Sequence, residues 1–300
     1  MRLKVVRRAL VAVTAGLLCS ALQAQTAVTD DRGQRREWTA PPQRIVSLLP
    51  SLTETLCALD GCARLVGIDR HSSFPPAVQA LPRVGGMRDA SVEAIARLRP
   101  DVVLVALSSP AIERLEALGL KVVALEPRDW EDMQRVARTL AQLLGASDSA
   151  GQAQRLWRQM QADVDAAARS VPPAGRGLRV YFEVDSAPFA AGESSFIGQT
   201  LARLGARNAV PATLGPFPKL NPEFVVRADP QLVIVSARNA PTLAERPGWA
   251  RIDALRHGRV CAFDAAQGDL LMRPGPRMGE AARIMARCLA QAAAAPEKAR

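Results

Sequence analysis

The 300 residues carry 39 Lys and Arg against 29 Asp and Glu, a formal charge of +10, with 4% aromatic residues. A nucleic-acid binder would concentrate such charge in a patch interleaved with aromatics, and no basic run of that kind occurs, so that class is set aside. Without the four basic residues of the leader described next, 35 basic against 29 acidic residues leave +6, an ordinary solvated surface.

Arg2, Lys4, Arg7 and Arg8 precede the apolar run "ALVAVTAGLL" and then "SALQAQ". This order predicts a secretory signal peptide over residues 1–24, cut after Ala24. The run is shorter than the ~20 residues of a spanning helix, and Leu18 before Cys19 argues against lipid attachment. Export to an oxidising compartment favours disulfides, and the remaining four cysteines allow three pairings. Cys57 and Cys62 fall at a helix end and the next loop, Cys261 and Cys288 in the last strand and last helix. That placement favours 57–62 and 261–288 over a zinc site, for which only His71 and His257 remain.

From Arg44 onward, β-branched runs alternate with helical patterns. "RIVSLL", "RLVGI", "DVVLVAL" and "KVVAL" read as strands. "SLTETLCAL" reads as a helix with Ser51 and Glu54 as a capping box, "SVEAIARL" as another with its box from Ser91, and "AIERLEAL" as a third, closed by Gly119. Such alternation implies a parallel sheet covered on both faces, here an α/β lobe over residues 43–145. "SDSAGQAQRLWRQMQADVDAAARSV" predicts one long bridging helix within 146–172, ended by Pro172 and Pro173. A second α/β lobe, 173–294, follows: strands "LRVYFEV", "PQLVIVSA" and "RVCAF", helices "SSFIGQTLARL", capped by Ser194, and "NPEFVVRA", capped by Asn221, and a closing helix from Pro276. A stiff single crossing implies a shallow, largely preformed cleft.

Catalytic signatures are missing: the sequence has no G-x-S-x-G elbow, no Walker A loop, no G-x-G-x-x-G after a strand and no H-E-x-x-H. The loops at the predicted strand ends, among them "DRHSSFPP", "GGMRD" and "DLLMRPGPR", mix Ser, Gly and Pro with isolated aromatics, which suits a large, partly apolar ligand. Arg277, at the entry to the last helix, reads either as solvated or as supporting Asp269 from behind.

The order "RIVSLLPSLTETLCALDG", "LVGIDRHSSFPP", "SVEAIARLRPDVVLV", a long helix, "PFAAGESSF", "NPEFVVRADPQLVIV" and "DLLMRPGPR" resembles the periplasmic substrate-binding proteins of ABC importers for cobalamin, haem and ferric siderophores, nearest to the cobalamin-binding members. The resemblance implies two lobes bridged by a rigid helix with one ligand between them. The expected function is a monomeric periplasmic receptor that captures a cobalamin-like corrinoid, with haem or a ferric siderophore as alternatives and an exported α/β enzyme as the reading from another class. No resident cofactor is implied. The matching ligand positions are His71, Met87 and Leu107 in the first lobe and Phe189, Phe217, Asp269 and Arg273 in the second, with Phe74 added. Glu93 and Glu223 match the glutamates that dock on the membrane permease dimer, which works with its ATPase.

Overall fold

The structure is a computed structural model and describes residues 26–186 and 188–295; the leader assigned to residues 1–24 lies outside the described residues. It begins with an antiparallel hairpin, β1 (Thr26–Thr29) and β2 (Arg35–Trp38), which the sequence pattern did not predict. "RREW" is too polar to read as a strand. The hairpin is held by tertiary bonds instead: the buried Asp30 accepts from the Ala124 amide at 3.2 Å, and the Trp38 indole donates to the Asp101 carbonyl at 3.1 Å.

The first lobe follows as β3 (Ile45–Ser47), α1 (Pro50–Ala58), β4 (Leu65–Ile68), α2 (Val92–Arg97), β5 (Val102–Val105), α3 (Ile112–Ala117) and β6 (Val122–Ala124). Its sheet has the order β4-β3-β5-β6, all parallel. β3, β5 and β6 are buried along their whole length, as helices on both faces require. Two cap assignments change. α1 has Leu49 at its N-cap with no side-chain cap, and the buried Ser51 hydroxyl has no hydrogen-bond partner. Ser91 does cap α2, through the Ala94 amide at 3.2 Å, but Glu93 sits one position too early to complete a box.

α4 (Trp130–Leu144) and α5 (Ser149–Arg169) come next, each begun by an aspartate cap, Asp129 and Asp148. The 21 residues of α5 span about 31 Å. Ala153 packs into the first-lobe core beside Leu140 and Leu144, while Trp157, Met160 and Val164 pack into the second-lobe core. The second lobe contains β7 (Arg179–Asp185), β8 (Phe189–Ala190), α6 (Phe196–Arg203), β9 (Arg207–Asn208), α7 (Pro222–Ala228), β10 (Leu232–Ser236), α8 (Asp253–Arg256), β11 (Val260–Phe263), α9 (Ala265–Leu271) and α10 (Met278–Ala294). β7 pairs parallel with β10 and β9, and β10 with β11; β8 runs antiparallel along β7.

α5 is the long helix that bridges the lobes, and its seat is braced by neighbours. Trp130 at the start of α4 stacks edge-on with Trp157 at 5.3 Å and donates its indole N–H to Thr200 of α6 at 3.1 Å, and α5 packs on α10. α4 also enters both cores, through Trp130 and Met133 on one side and Val136 and Leu140 on the other, while α10 braces α5 from the second lobe; this leaves little freedom for hinge motion. Ser195, not Ser194, caps α6, and α10 starts at Met278 rather than Pro276. The disulfides Cys57–Cys62 and Cys261–Cys288 tie α1 to its following loop and β11 to α10.

Candidate functional site

A cavity of about 700 Å³ lies between the lobes. Its first-lobe wall is built from residues just past the carboxyl ends of parallel strands: Leu48 and Leu49 after β3, Asp69 and His71 after β4, Ala106 after β5, and Glu126 to Arg128 after β6. The facing wall carries Val184 at the end of β7, Phe196, Phe217 and the stretch from Asp269 to Pro274. Phe196 and Phe217 meet with ring centroids 5.7 Å apart. The walls are mainly apolar, with a few polar groups at fixed places, the usual make-up of a small-molecule site.

The polar groups divide into engaged and unspent. The buried Asp69 accepts from the His71 amide at 2.7 Å and from Ser72. Asp89 is held by Arg70 and by the Gly86 amide at 2.9 Å, and the Arg70 hydrogen bond is the main reason its carboxyl stays below the usual carboxylate range. Glu126 accepts from the Ser108 amide at 3.0 Å, and Asp269 pairs with Arg273 at 2.8 Å. Every carboxylate on the wall thus already has a donor. Among the described residues, the side chains of His71, Arg88 and Arg128 make neither a hydrogen bond nor an ion pair with the protein.

Arg273 and Arg277 take up positions their sequence context did not show. Arg273 donates to Glu54 at 3.0 Å, to the Ser73 hydroxyl at 3.2 Å and to the His71 carbonyl at 2.8 Å, besides its pair with Asp269. Both terminal nitrogens of its fork are therefore engaged by protein acceptors, so at the cavity edge it acts first as a tie between the lobes. Arg277 is neither solvated nor bonded to Asp269: it grips Glu54 with two donors at 2.7 and 2.8 Å, and its guanidinium lies 4.2 Å from the Phe74 ring centre. Burial alone would lower the Arg277 pKa, but the Glu54 hydrogen bonds and charge outweigh it and raise it. The Glu54 side chain is 3% exposed.

Of the sequence-derived ligand positions, His71, Met87, Phe217, Asp269 and Arg273 lie on this wall. Leu107, Phe74 and Phe189 do not. Leu107 packs against the first-lobe core, Phe74 is drawn under Arg277, and Phe189 is taken into β8 with 36% of its surface exposed. Phe196, Met272, Arg88 and Arg128 join the wall without having been singled out; Phe196 opens α6, Met272 ends α9 and Arg128 lies between β6 and α4, element boundaries that could have signalled them, whereas Arg88 sits mid-loop between β4 and α2 with no such signal. Glu93 and Glu223 stand in the first turns of α2 and α7 with side chains 71% and 78% exposed, each 3.7 Å from a single arginine. No helix among the described residues is long and apolar enough to cross a membrane.

Residues 45–266 match the family model described as periplasmic binding protein. The chain is 27% identical over 248 residues to an uncharacterized ABC transporter substrate-binding lipoprotein, YvrC, of Bacillus subtilis, covering 80% of this chain and 77% of that one. It is 25% identical over 270 residues to the vitamin B12-binding protein of Pectobacterium atrosepticum, covering 87% and 93%. Among solved structures, the periplasmic heme-binding protein BhuT in complex with two hemes is 31% identical, with a TM-score of 0.69 over 84% of this chain and 99% of that one.

Proposed function

The chain belongs to the periplasmic binding protein family, and on that premise we propose that it is an exported receptor that captures a cobalamin-like corrinoid and hands it to an ABC permease dimer with its ATPase. The observation that carries this reading is a mainly apolar interlobe cavity whose unspent charged side chains are the guanidiniums of Arg88 and Arg128, with the His71 imidazole also without a protein partner. A corrinoid brings amide carbonyls and one phosphate, both acceptors suited to guanidinium N–H groups. Its cobalt arrives already chelated, which fits a wall offering one imidazole. Among the described residues no three His, Cys, Asp or Glu side chains group to hold a bare ion.

Haem is the second reading, and the same cationic donors favour it, because its two carboxylates would pair with Arg88 and Arg128 while His71 reaches the iron. Visible titration of the ligand-free protein with cobinamide, hydroxocobalamin, haemin and a ferric hydroxamate separates the readings. Saturable binding of the cobalt macrocycles is expected; haemin binding alone would replace the corrinoid, and no binding to any of the four would remove the function.

Glu93 and Glu223 are the docking charges of this reading, supported by their matching placement at exposed first turns, one in each lobe. Replacing both by Ala is expected to abolish uptake while ligand affinity stays unchanged, and unimpaired uptake would sink the assignment.

A further inference from the structure

Two arginines of the second lobe reach across the lobe boundary to one carboxylate of the first, 219 and 223 residues away in the chain. Glu54 is the centre of this cluster, and its burial means the charge must be answered on the spot. What it organises is the segment from His71 to Phe74. The His71 amide is fixed from its own lobe by Asp69, and the His71 carbonyl is fixed from the other lobe by Arg273. Arg273 also holds the Ser73 hydroxyl, and Arg277 covers the Phe74 ring. The backbone of the segment is thus pinned on both sides while the His71 imidazole stays free on the cavity wall.

We propose that Glu54 is a positioning residue for the ligand cavity: by neutralising and orienting Arg273 and Arg277, it clamps the His71–Phe74 segment across the lobe boundary in the form that receives the ligand. The proposal rests on reading this cavity as the ligand site. Glu54 lies off the wall itself, and without its carboxylate the buried Arg273 keeps only Asp269 as a charged partner and the partly buried Arg277 beside it keeps none among the described residues, so the two guanidiniums repel each other and release the segment they hold.

Hydrogen exchange on ligand-free protein tests this directly. Glu54→Gln is expected to raise exchange at the amides of residues 71–74 by about tenfold or more, the size of a lost charged hydrogen bond, while β3, β5, β7 and β10 exchange as before. Hydroxocobalamin and haemin serve as the binding probes. Whichever binds the native protein is expected to bind Glu54→Gln about tenfold more weakly, and Glu54→Asp, which keeps the charge, is expected to recover part of the loss. Should Glu54→Gln not fold, Arg273→Lys, which keeps the charge but loses the fork, is expected to free the same amides. Unchanged exchange at 71–74 in a folded variant, a rise spread equally over both sheets, or freed amides with undiminished probe affinity would each overturn the proposal. The exchange readout needs no ligand, so a probe panel that binds nothing would refute the ligand reading and leave the clamp to be judged by exchange alone.

Discussion

Among the described residues two glutamates are buried against arginines, and their partners differ in origin. Glu183 in β7 is held by Arg246 and by Asn239 at 3.1 Å, partners drawn from its own lobe, 63 and 56 residues later respectively. Arg246 in turn stacks over Trp249 at 4.5 Å. Burial first, and then the Glu183 charge, push the Tyr181 phenol well above its ordinary range, so it stays a neutral donor to Glu183. Glu54, by contrast, takes its partners from the opposite lobe. The same charged hydrogen bonds rivet one lobe internally in the first case and join two lobes at the edge of a cavity in the second.

From that contrast, Glu183→Ala should be the most destabilising change, costing roughly 3–5 kcal/mol because it leaves the partly buried Arg246 without its carboxylate and the buried Tyr181 hydroxyl without its acceptor. Denaturant melting checks this, and adding Arg246→Met to the same variant should recover much of the loss; a single variant near native stability would erase the distinction. Next come the disulfides. Removing Cys261–Cys288, which closes a separation of 27 residues, should cost roughly 3.5 kcal/mol against roughly 2 for Cys57–Cys62 at a separation of 5, in the chain-entropy description. Melting of the two double-alanine proteins would contradict this if the order were reversed.

The smallest effect belongs to a partly exposed pair. Burial would raise the Asp132 carboxyl, but the Arg135 hydrogen bond and the Arg128 amide outweigh it and hold it below the usual range. A carboxyl depressed in the folded state contributes stability above its unfolded pKa of about 3.9, and loses it as pH falls through the lower folded value. Solvent screening keeps the contribution under ~1 kcal/mol. Asp132→Asn should therefore melt slightly below wild type at pH 7 and converge with it in acid; a gap that widens in acid would count against the pairing.

How legible these features were depends on the range of the interactions that make them. The strands "DVVLV" and "LVIV" announce themselves because burial on both faces demands unbroken apolar runs. The long helix was visible from its period and from the prolines that end it. The β1–β2 hairpin and α4's anchorage on α6 were not, since Asp30, Trp38 and Trp130 owe their positions to partners far along the chain. Glu54 is the sharpest case: "SLTE" fits a local capping box, yet its carboxylate answers arginines more than 200 residues away. The loop residues His71, Met87 and Phe217 were reachable by family resemblance and lie on the cavity, whereas the same resemblance proposed Leu107 and Phe189, which are occupied by core packing and strand pairing.

The central claim is that the interlobe cavity receives a metal macrocycle. Equilibrium dialysis of the ligand-free protein against hydroxocobalamin, repeated with Met87 and Phe217 both changed to Glu, tests it most directly. One corrinoid retained per chain, and at least tenfold weaker retention by the variant, is the predicted result. No retention by the native protein, or retention that the two cavity charges leave untouched, would contradict it.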